Sequence, residues 1–192
     1  MDEIIVSSND PAVLEYAAKF SATCDPRVMP LERPDQYGVS STSMERFIAD
    51  YIAYLRNDGT ILWTHVTHPF VTSQWYNSAI EAYENVRMNG NDSLVSATKI
   101  QKFLWRNGSP FNYDNSAEKW PRSQDLEPVW DINHAIYIMP FRVMQQAGDR
   151  ITSKSLFFEM DESVSMDIDW DDQFHLLDEI AQARVARGCS LI

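Results

Sequence analysis

The sequence predicts a single α/β domain with a mostly parallel sheet, and three observations predict it. A short apolar run, Ile4-Ile5-Val6, is followed at once by a helix start at Asp10-Pro11, the strand-then-capped-helix pattern of α/β proteins. Further along, apolar runs of strand length alternate with amphipathic stretches of helical period. No internal repeat, low-complexity tract or interdomain linker interrupts residues 1–192, a length that buries a substantial core as one unit.

In chain order, Ile4 to Val6 is a buried strand ending in the polar turn Ser7-Ser8-Asn9-Asp10. Proline suits the first helical turn because its missing N–H is not needed there, so a helix runs from Pro11 through Phe20 with Asp10 as N-cap. Asp25 to Ser43, with three prolines, is expected to be loop. Phe47, Ile48, Tyr51, Ile52 and Leu55 form a helical stripe within Met44 to Leu55. Asn57-Asp58-Gly59 stops that helix, and Thr60 to Val66 is the next strand. Ser73 to Val86 is a second amphipathic helix, followed by the turn Asn89-Gly90-Asn91-Asp92 and a strand from Ser93 to Thr98. From Ile100 to Trp130 the pattern dissolves into scattered aromatics, Asn, Ser and Pro, an excursion from the sheet with short strands at most. His134 to Met139 resumes a buried strand, Pro140 starts a helix and Gly148 ends it. Phe157 to Asp169 supplies one or two more strands, and Asp171 to Arg187 a closing helix.

Composition narrows the function. A net charge of −12 opposes nucleic acid or an anionic membrane as partner. No apolar run reaches bilayer-spanning length and residues 1–10 carry acid where a signal peptide carries base, so the expected location is cytoplasmic. Cys24 and Cys189 are far apart and lack metal-ligand spacing, which favours reduced thiols over a disulfide framework.

Ligands of open α/β sheets bind at the carboxyl ends of strands, and four candidate sites fall there. The most informative is Ser165-Met166-Asp167-Ile168-Asp169-Trp170-Asp171-Asp172. In an extended strand residues two apart share a face, so Asp167 and Asp169 point one way while Ile168 points into the core. Two such carboxylates suit Mg2+, which takes one or two protein carboxylates, waters and substrate phosphate oxygens. The same acidic pair also serves as a helix cap with solvated charge. The second site, Thr64 to Phe70, carries His65 and His68, a spacing open to metal ligation but without a third ligand nearby, so a substrate-contacting loop is the better reading. The third is Pro121 to Leu126, whose Arg122 can clamp a carboxylate or phosphate or simply face solvent. The fourth is Asn133, which also suits a turn. No serine, cysteine or lysine sits in a nucleophile motif, and no Walker loop or dinucleotide fingerprint is present.

Taken in order, these segments resemble the acylneuraminate cytidylyltransferase family, the CMP-sialic acid synthetases, and more distantly the CMP-Kdo synthetases. Asp2 to Asp10 is similar to the family's "DEVIVSTDD" turn, Glu32-Arg33-Pro34 to its "RP" loop, and Thr64 to Phe70 to its "LQPTSPL" strand end. Asp92 to Ala97 resembles "DSVVSV", Arg122 to Asn133 resembles "RTQDLPPVYEEN", Ala135 to Ile138 matches "AIYI", and Ser165 to Asp172 resembles "SIDIDTEED". His68 stands in place of a small residue, His134 in place of Gly or Ser, and Val71 where many members have Arg.

The resemblance implies a nucleotide-diphospho-sugar transferase-like three-layer sandwich, with Mg2+ as cofactor and CTP plus an acidic nonulosonic, sialic acid-like sugar as substrates. It implies that Asp167 and Asp169 hold Mg2+ and that Arg33, Thr42 and Ser43 meet cytosine and ribose. It places His65 and Thr67 at the sugar, Lys99 or Lys102 and Arg122 at its carboxylate, and Gln124 and Asn133 beside them. Segment 100–130 then doubles as a protruding sugar-binding and dimer contact, making a homodimer the expected partner state. The family opens with a strand, a glycine- and basic-rich "ARGGSKGIPGKN" loop and a helix that cradle the triphosphate, and the match begins after them. The expectation is therefore this fold with its first βα unit missing, through truncation, a late start or a separate polypeptide. The alternative is a non-catalytic relative that binds sugar or nucleotide, or acts as a scaffold.

Overall fold

The computed structural model describes residues 1–39 and 41–188, and these fall into two compact units, 1–57 and 58–192. Cys24 is an exposed free thiol, whereas Cys189 lies outside the described residues.

The first unit begins with β1 (Ile4–Ser8), α1 (Pro11–Thr23) and β2 (Val28–Glu32), and β1 and β2 pair in parallel from Ile4↔Val28 to Ser8↔Glu32. As predicted, the Asp10 carboxylate accepts the Ala12 N–H at 2.8 Å and Pro11 opens the helix. The expectation that Asp25 to Ser43 is loop is corrected by β2. Proline cannot donate to a ladder. Here, however, the Ile4 N–H reaches the Arg27 carbonyl at 2.8 Å and the Arg33 N–H reaches the Ser8 carbonyl at 2.9 Å. That phase turns the odd-numbered amides of β2 toward β1 and leaves the Pro30 nitrogen facing away. The expected Met44 to Leu55 helix is α2 (Met44–Asp50), capped by Ser43, followed by a separate 3-10 turn at Ile52–Tyr54. Ala17, Val28, Ile48, Ile52 and Ala53 are buried.

The second unit contains β3 (Thr60–Thr64), α3 (Ser73–Arg87), β4 (Ser93–Ile100), β5 (Trp105–Arg106), β6 (Ser109–Pro110), β7 (Val129–Pro140), α4 (Phe141–Ala147), β8 (Ser155–Glu159) and α5 (Asp171–Ala186). Its four-stranded sheet has the order β3-β7-β4-β8. Strands β3, β4 and β8 run the same way, and the long β7 runs against both its neighbours. On one face Leu94, Ala135, Ile136, Ile138 and Met160 pack with Ala79 and Tyr83 of α3. Gly148, at φ +62°, caps α4 in the left-handed conformation and returns its N–H to the Met144 carbonyl at 2.8 Å.

The excursion expected from Ile100 to Trp130 is shorter at both ends, because Ile100 closes β4 and Val129 and Trp130 open β7, where they pair with Ile100 and Lys99. Strands β5 and β6 form a minute hairpin across Asn107-Gly108, both at positive φ, the usual two-residue hairpin turn. The buried Asn112 ties the base of the segment, accepting the Leu104 N–H at 3.1 Å and donating to the Lys102 and Glu127 carbonyls at 2.9 Å each.

The acidic run does not follow its prediction. After β8 the chain turns, with the Val164 and Ser165 amides bonding the Asp161 carbonyl at 2.9 and 3.0 Å, and residues 166–169 are irregular rather than strand. Only the Ile168 N–H reaches back, to the Thr67 carbonyl at 3.1 Å. Asp167 and Asp169 therefore owe their placement to one backbone tether and to the start of α5, not to a strand face.

Candidate active site

Trp63 lies opposite Tyr137 in the β3–β7 ladder, so the two rings share one sheet face. His65, two residues beyond Trp63, stacks on it at 5.4 Å. The β4–β7 register slips between Val95↔Tyr137 and Ala97↔Ile132, so that Ser96 alone faces residues 133–136. Buried side chains fill this bulge. Ser96 Oγ donates to Asn133 Oδ1 at 2.6 Å and accepts the Ile136 N–H at 2.8 Å, and Asn133 Nδ2 donates to Thr98 Oγ1 at 3.0 Å. Thr98 continues to Ser165 Oγ at 2.8 Å, which links the bulge to the acidic segment. Bulges near sites re-aim side chains. Here the bulge holds His134 at φ +61°.

Arg150 sits at the focus of these elements, delivered by the Gly148-Asp149 turn. It is 8% exposed. Nη1 donates to His65 Nε2 at 3.0 Å and Nη2 to His134 Nδ1 at 3.2 Å. The guanidinium carbon lies 4.3 Å from the Tyr137 ring centre and 5.0 Å from that of Trp63. Both imidazole nitrogens must be unprotonated to accept these bonds. Burial and the Arg150 charge do hold both rings neutral, pushing His65 down to about 4 and lowering His134. Burial also pushes the Tyr137 hydroxyl up to about 12. The histidine pair is thus bridged by a cation of the protein itself, and among the described residues no group of three or more His, Cys, Asp or Glu side chains could hold a metal.

Beside this cluster, the buried His68 donates from Nε2 to the Asn133 carbonyl at 2.6 Å. Its Nδ1 then faces Asp167 Oδ1 at 3.7 Å with no hydrogen bond. Asp167 is half-buried and accepts the Ile168 N–H at 2.9 Å. Asp169 is exposed at the foot of α5, where Gln173 Oε1 accepts its N–H at 2.7 Å. Each carboxylate is a hard oxygen donor of the kind Mg2+ takes from protein one or two at a time.

The structure thus brings together His65, Thr67, Asn133 and Asp167 around His68. Asn133 is a buried peg of the bulge, and Thr67 supplies its carbonyl to Ile168. Lys102 pairs with Glu162 at 2.9 Å, Lys99 is exposed, and Arg122 is exposed and stands 3.9 Å from Asp125. Gln124 is exposed and offers its carbonyl to Gln101 at 2.9 Å. In the first unit, Arg33 donates to the Ser7 carbonyl at 2.6 Å and lies 4.9 Å over Phe47, Thr42 bonds the Gln36 carbonyl, and Ser43 is occupied as a cap accepting the Arg46 N–H at 3.2 Å. Sequence reasoning missed Arg150, Trp63 and Tyr137. The available signal was His134, a bulky residue at a position where the resembled family has Gly or Ser.

No protein-family model matches the chain. It is 27% identical over 176 residues to a pseudaminic acid cytidylyltransferase of Campylobacter jejuni, covering 88% of this chain and 73% of that protein. It is 24% identical over 149 residues to an N-acylneuraminate cytidylyltransferase of Streptococcus agalactiae, covering 75% of this chain and 35% of the relative. Among solved structures, the 4-diphosphocytidyl-2C-methyl-D-erythritol synthase of Anaerococcus prevotii superposes with a TM-score of 0.62 at 12% identity, over 95% of this chain and 82% of that one. A CMP:2-keto-3-deoxy-manno-octonic acid synthetase solved with CTP superposes with a TM-score of 0.61 at 12% identity, over 94% and 81%. With the ordered motifs, these likenesses make the chain a distant homologue of the pseudaminic acid and N-acylneuraminate cytidylyltransferases, with the nucleotidyltransferase fold.

Proposed function

We propose that this chain transfers CMP from CTP to an acidic ulosonic sugar and releases pyrophosphate. The observation that carries the proposal is the likeness to the Campylobacter pseudaminic acid enzyme across 88% of the chain. The convergence of Thr67, Asn133 and Asp167 on His68 supports it, because these are segments in which the family resemblance also lies.

In the proposed reaction the anomeric hydroxyl of the sugar attacks the α-phosphorus of CTP and gives its proton to solvent water, while the bond from the α-phosphorus to the bridging oxygen breaks and that oxygen leaves with pyrophosphate. Such a step depends on positioning and charge neutralisation rather than covalent catalysis. Asp167 and Asp169 are the residues that would hold Mg2+, which when bound neutralises phosphate charge and lowers the pKa of a coordinated hydroxyl. The rest falls to the protein. His68, locked by the Asn133 carbonyl, walls one side of Asp167 and limits its rotation. Thr67 tethers Ile168 and so fixes the backbone between the two acids. Arg33, held to the Ser7 carbonyl and over Phe47, is the proposed cytidine contact of the first unit. The cytoplasm and a homodimer complete the proposal.

The test is pyrophosphate release with CTP, Mg2+ and a panel of N-acetylneuraminate, pseudaminate and 2-keto-3-deoxy-octonate. Turnover with one of them is expected, and Asp169→Asn should lower it by about two decades, the scale of losing one charge clamp on a transferring phosphoryl group. Binding of sugar or CTP without any turnover would instead assign the chain to the non-catalytic alternative. Undiminished turnover in Asp169→Asn would remove the metal role from that residue.

A further inference from the structure

We propose that Arg150, framed by His65 and His134, is the receptor for the carboxylate of the acidic sugar, an inference that rests on the sugar cytidylyltransferase reading above. Four observations lead to it.

The first is a missing counter-charge. A buried cation is costly unless paired. Arg150 is buried, yet among the described residues no carboxylate lies within ion-pair distance of its guanidinium. The adjacent Asp149 carboxylate is turned to the Arg150 backbone N–H, at 2.6 Å. In a chain with 28 acidic and 16 basic residues, this buried arginine has the charge of Asp149 nearby but no acid in ion-pair contact with its guanidinium.

The second is the quality of what holds it. Two neutral imidazoles accept from Nη1 and Nη2 and so leave the guanidinium charge uncancelled, whereas a carboxylate in their place would add its own charge to the bonds. Trp63 and Tyr137 meanwhile fix the guanidinium against their rings. A ligand carboxylate would therefore meet a fork already oriented, and displace neutral partners from it. The third is strain: His134 is exposed and sits at φ +61°, a conformation a histidine adopts at some cost, and such residues cluster at ligand sites. Its exposure gives the ligand its way in.

The fourth is the charge count. Arg150 is the one cation among these side chains, and the charges of Asp149 and Asp167 already reach the cluster, so the site suits a singly charged carboxylate better than a phosphate dianion. The other cations on the sheet side differ: Lys102 is spent on Glu162, Arg122 stands near Asp125, and both they and Lys99 are exposed. The planar fork of arginine also fits a carboxylate bidentately.

The test pairs binding with kinetics. Acetate and acetamide, shapes of equal size that differ in charge, are titrated at constant ionic strength while the ring resonances of His65 and His134 are followed by NMR. Saturable shifts with acetate alone, absent in Arg150→Gln and partly restored in Arg150→Lys, are expected. Equal shifts with both probes, or none with acetate, would overturn the proposal, and because this comparison uses the wild-type protein it holds even if Arg150→Gln fails to fold. In turnover assays Arg150→Gln should raise KM for the acidic sugar about 10²-fold and leave KM for CTP unchanged. Turnover with an unaltered sugar KM in this variant would overturn the carboxylate assignment while the enzymatic reading stands. Acetate discrimination through Arg150 without turnover on any sugar would do the reverse.

Discussion

His65 illustrates how one residue can set a pH limit on the whole chain. Burial is the largest influence against its charged form, Arg150, His134 and His68 add to it, and Asp167 opposes them. The outcome is a folded value of about 4 against an ordinary 6.5, and His134 is lowered in the same sense. Between those values the unfolded chain binds protons that the folded chain refuses, so stability falls as pH drops from about 6.5 toward 4. At about 1.4 kcal/mol per pKa unit, His65 alone removes about 2 kcal/mol between pH 7 and pH 5. Urea unfolding at those two pH values should show the drop, and His65→Gln, which keeps an acceptor for Arg150, should flatten it. A wild-type stability that does not change over this interval would refute the environment assigned to the ring. The arginine-paired carboxylates of the first unit do not confuse the reading: Asp25 is held at about 2 by Arg27, and Glu3 is lowered by Arg56, so their losses come below the window.

The element that makes the site is the bulge of β7, and it is held by hydrogen bonds among its buried polar side chains. Asn133 is the hub: its Oδ1 accepts from Ser96 Oγ and the Ala135 N–H, its Nδ2 donates to Thr98, and its carbonyl holds His68. Replacing it with alanine removes the acceptor of the Ser96 hydroxyl and of the Ala135 N–H and the donor to Thr98, although Ser96 still accepts the Ile136 N–H and Thr98 still meets Ser165, and each buried group so orphaned costs roughly 1–3 kcal/mol. Asn133→Ala should therefore cost about 2–4 kcal/mol in urea unfolding, well above an exposed truncation such as Gln124→Ala, and a loss below 1 kcal/mol would show that the bulge does not depend on it. Much of this element was legible in advance. The Asp10-Pro11 helix start and the Gly148 stop carry local backbone chemistry and fell where expected, and the apolar run from Ala135 to Met139 marks the buried half of β7, which begins at Val129 rather than at the expected His134. What misled was pattern without pairing. Pro30 hid β2 because its harmless phase is set by Ile4 and Arg33, residues outside the strand. The alternation in Ser165 to Asp169 imitated a strand, although the Ser165 N–H closes a turn on the Asp161 carbonyl and, beyond it, the Ile168 N–H bonds the Thr67 carbonyl outside any ladder. Arg150 offered no local signal at all, since its meaning comes from His65 and His134, which lie 85 and 16 residues away along the chain.

Across the whole molecule the governing quantity is the net charge of −12. A nucleoside triphosphate is itself strongly anionic, so under the proposed function the average field of this protein repels one of its own substrates. Local cations and Mg2+ act at contact distance and are little affected by added salt, whereas the long-range repulsion is screened once the Debye length shrinks from about 30 Å at 0.01 M to about 10 Å at 0.1 M. The usual consequence of salt on anion binding should then be inverted. With free Mg2+ held constant, kcat/KM for CTP should rise a few-fold as NaCl is raised from 10 to 100 mM, because encounter is steered by the summed charge and the steering here is unfavourable. The acidic sugar, with a single negative charge, should follow the same direction more weakly. A fall in kcat/KM for CTP over that range would mean that a concentrated basic surface dominates the approach of the triphosphate despite the excess of acid. The same titration in Asp169→Asn separates the two length scales, since a contact-distance loss lowers the whole curve while the slope with salt, set by the remaining charge, is kept.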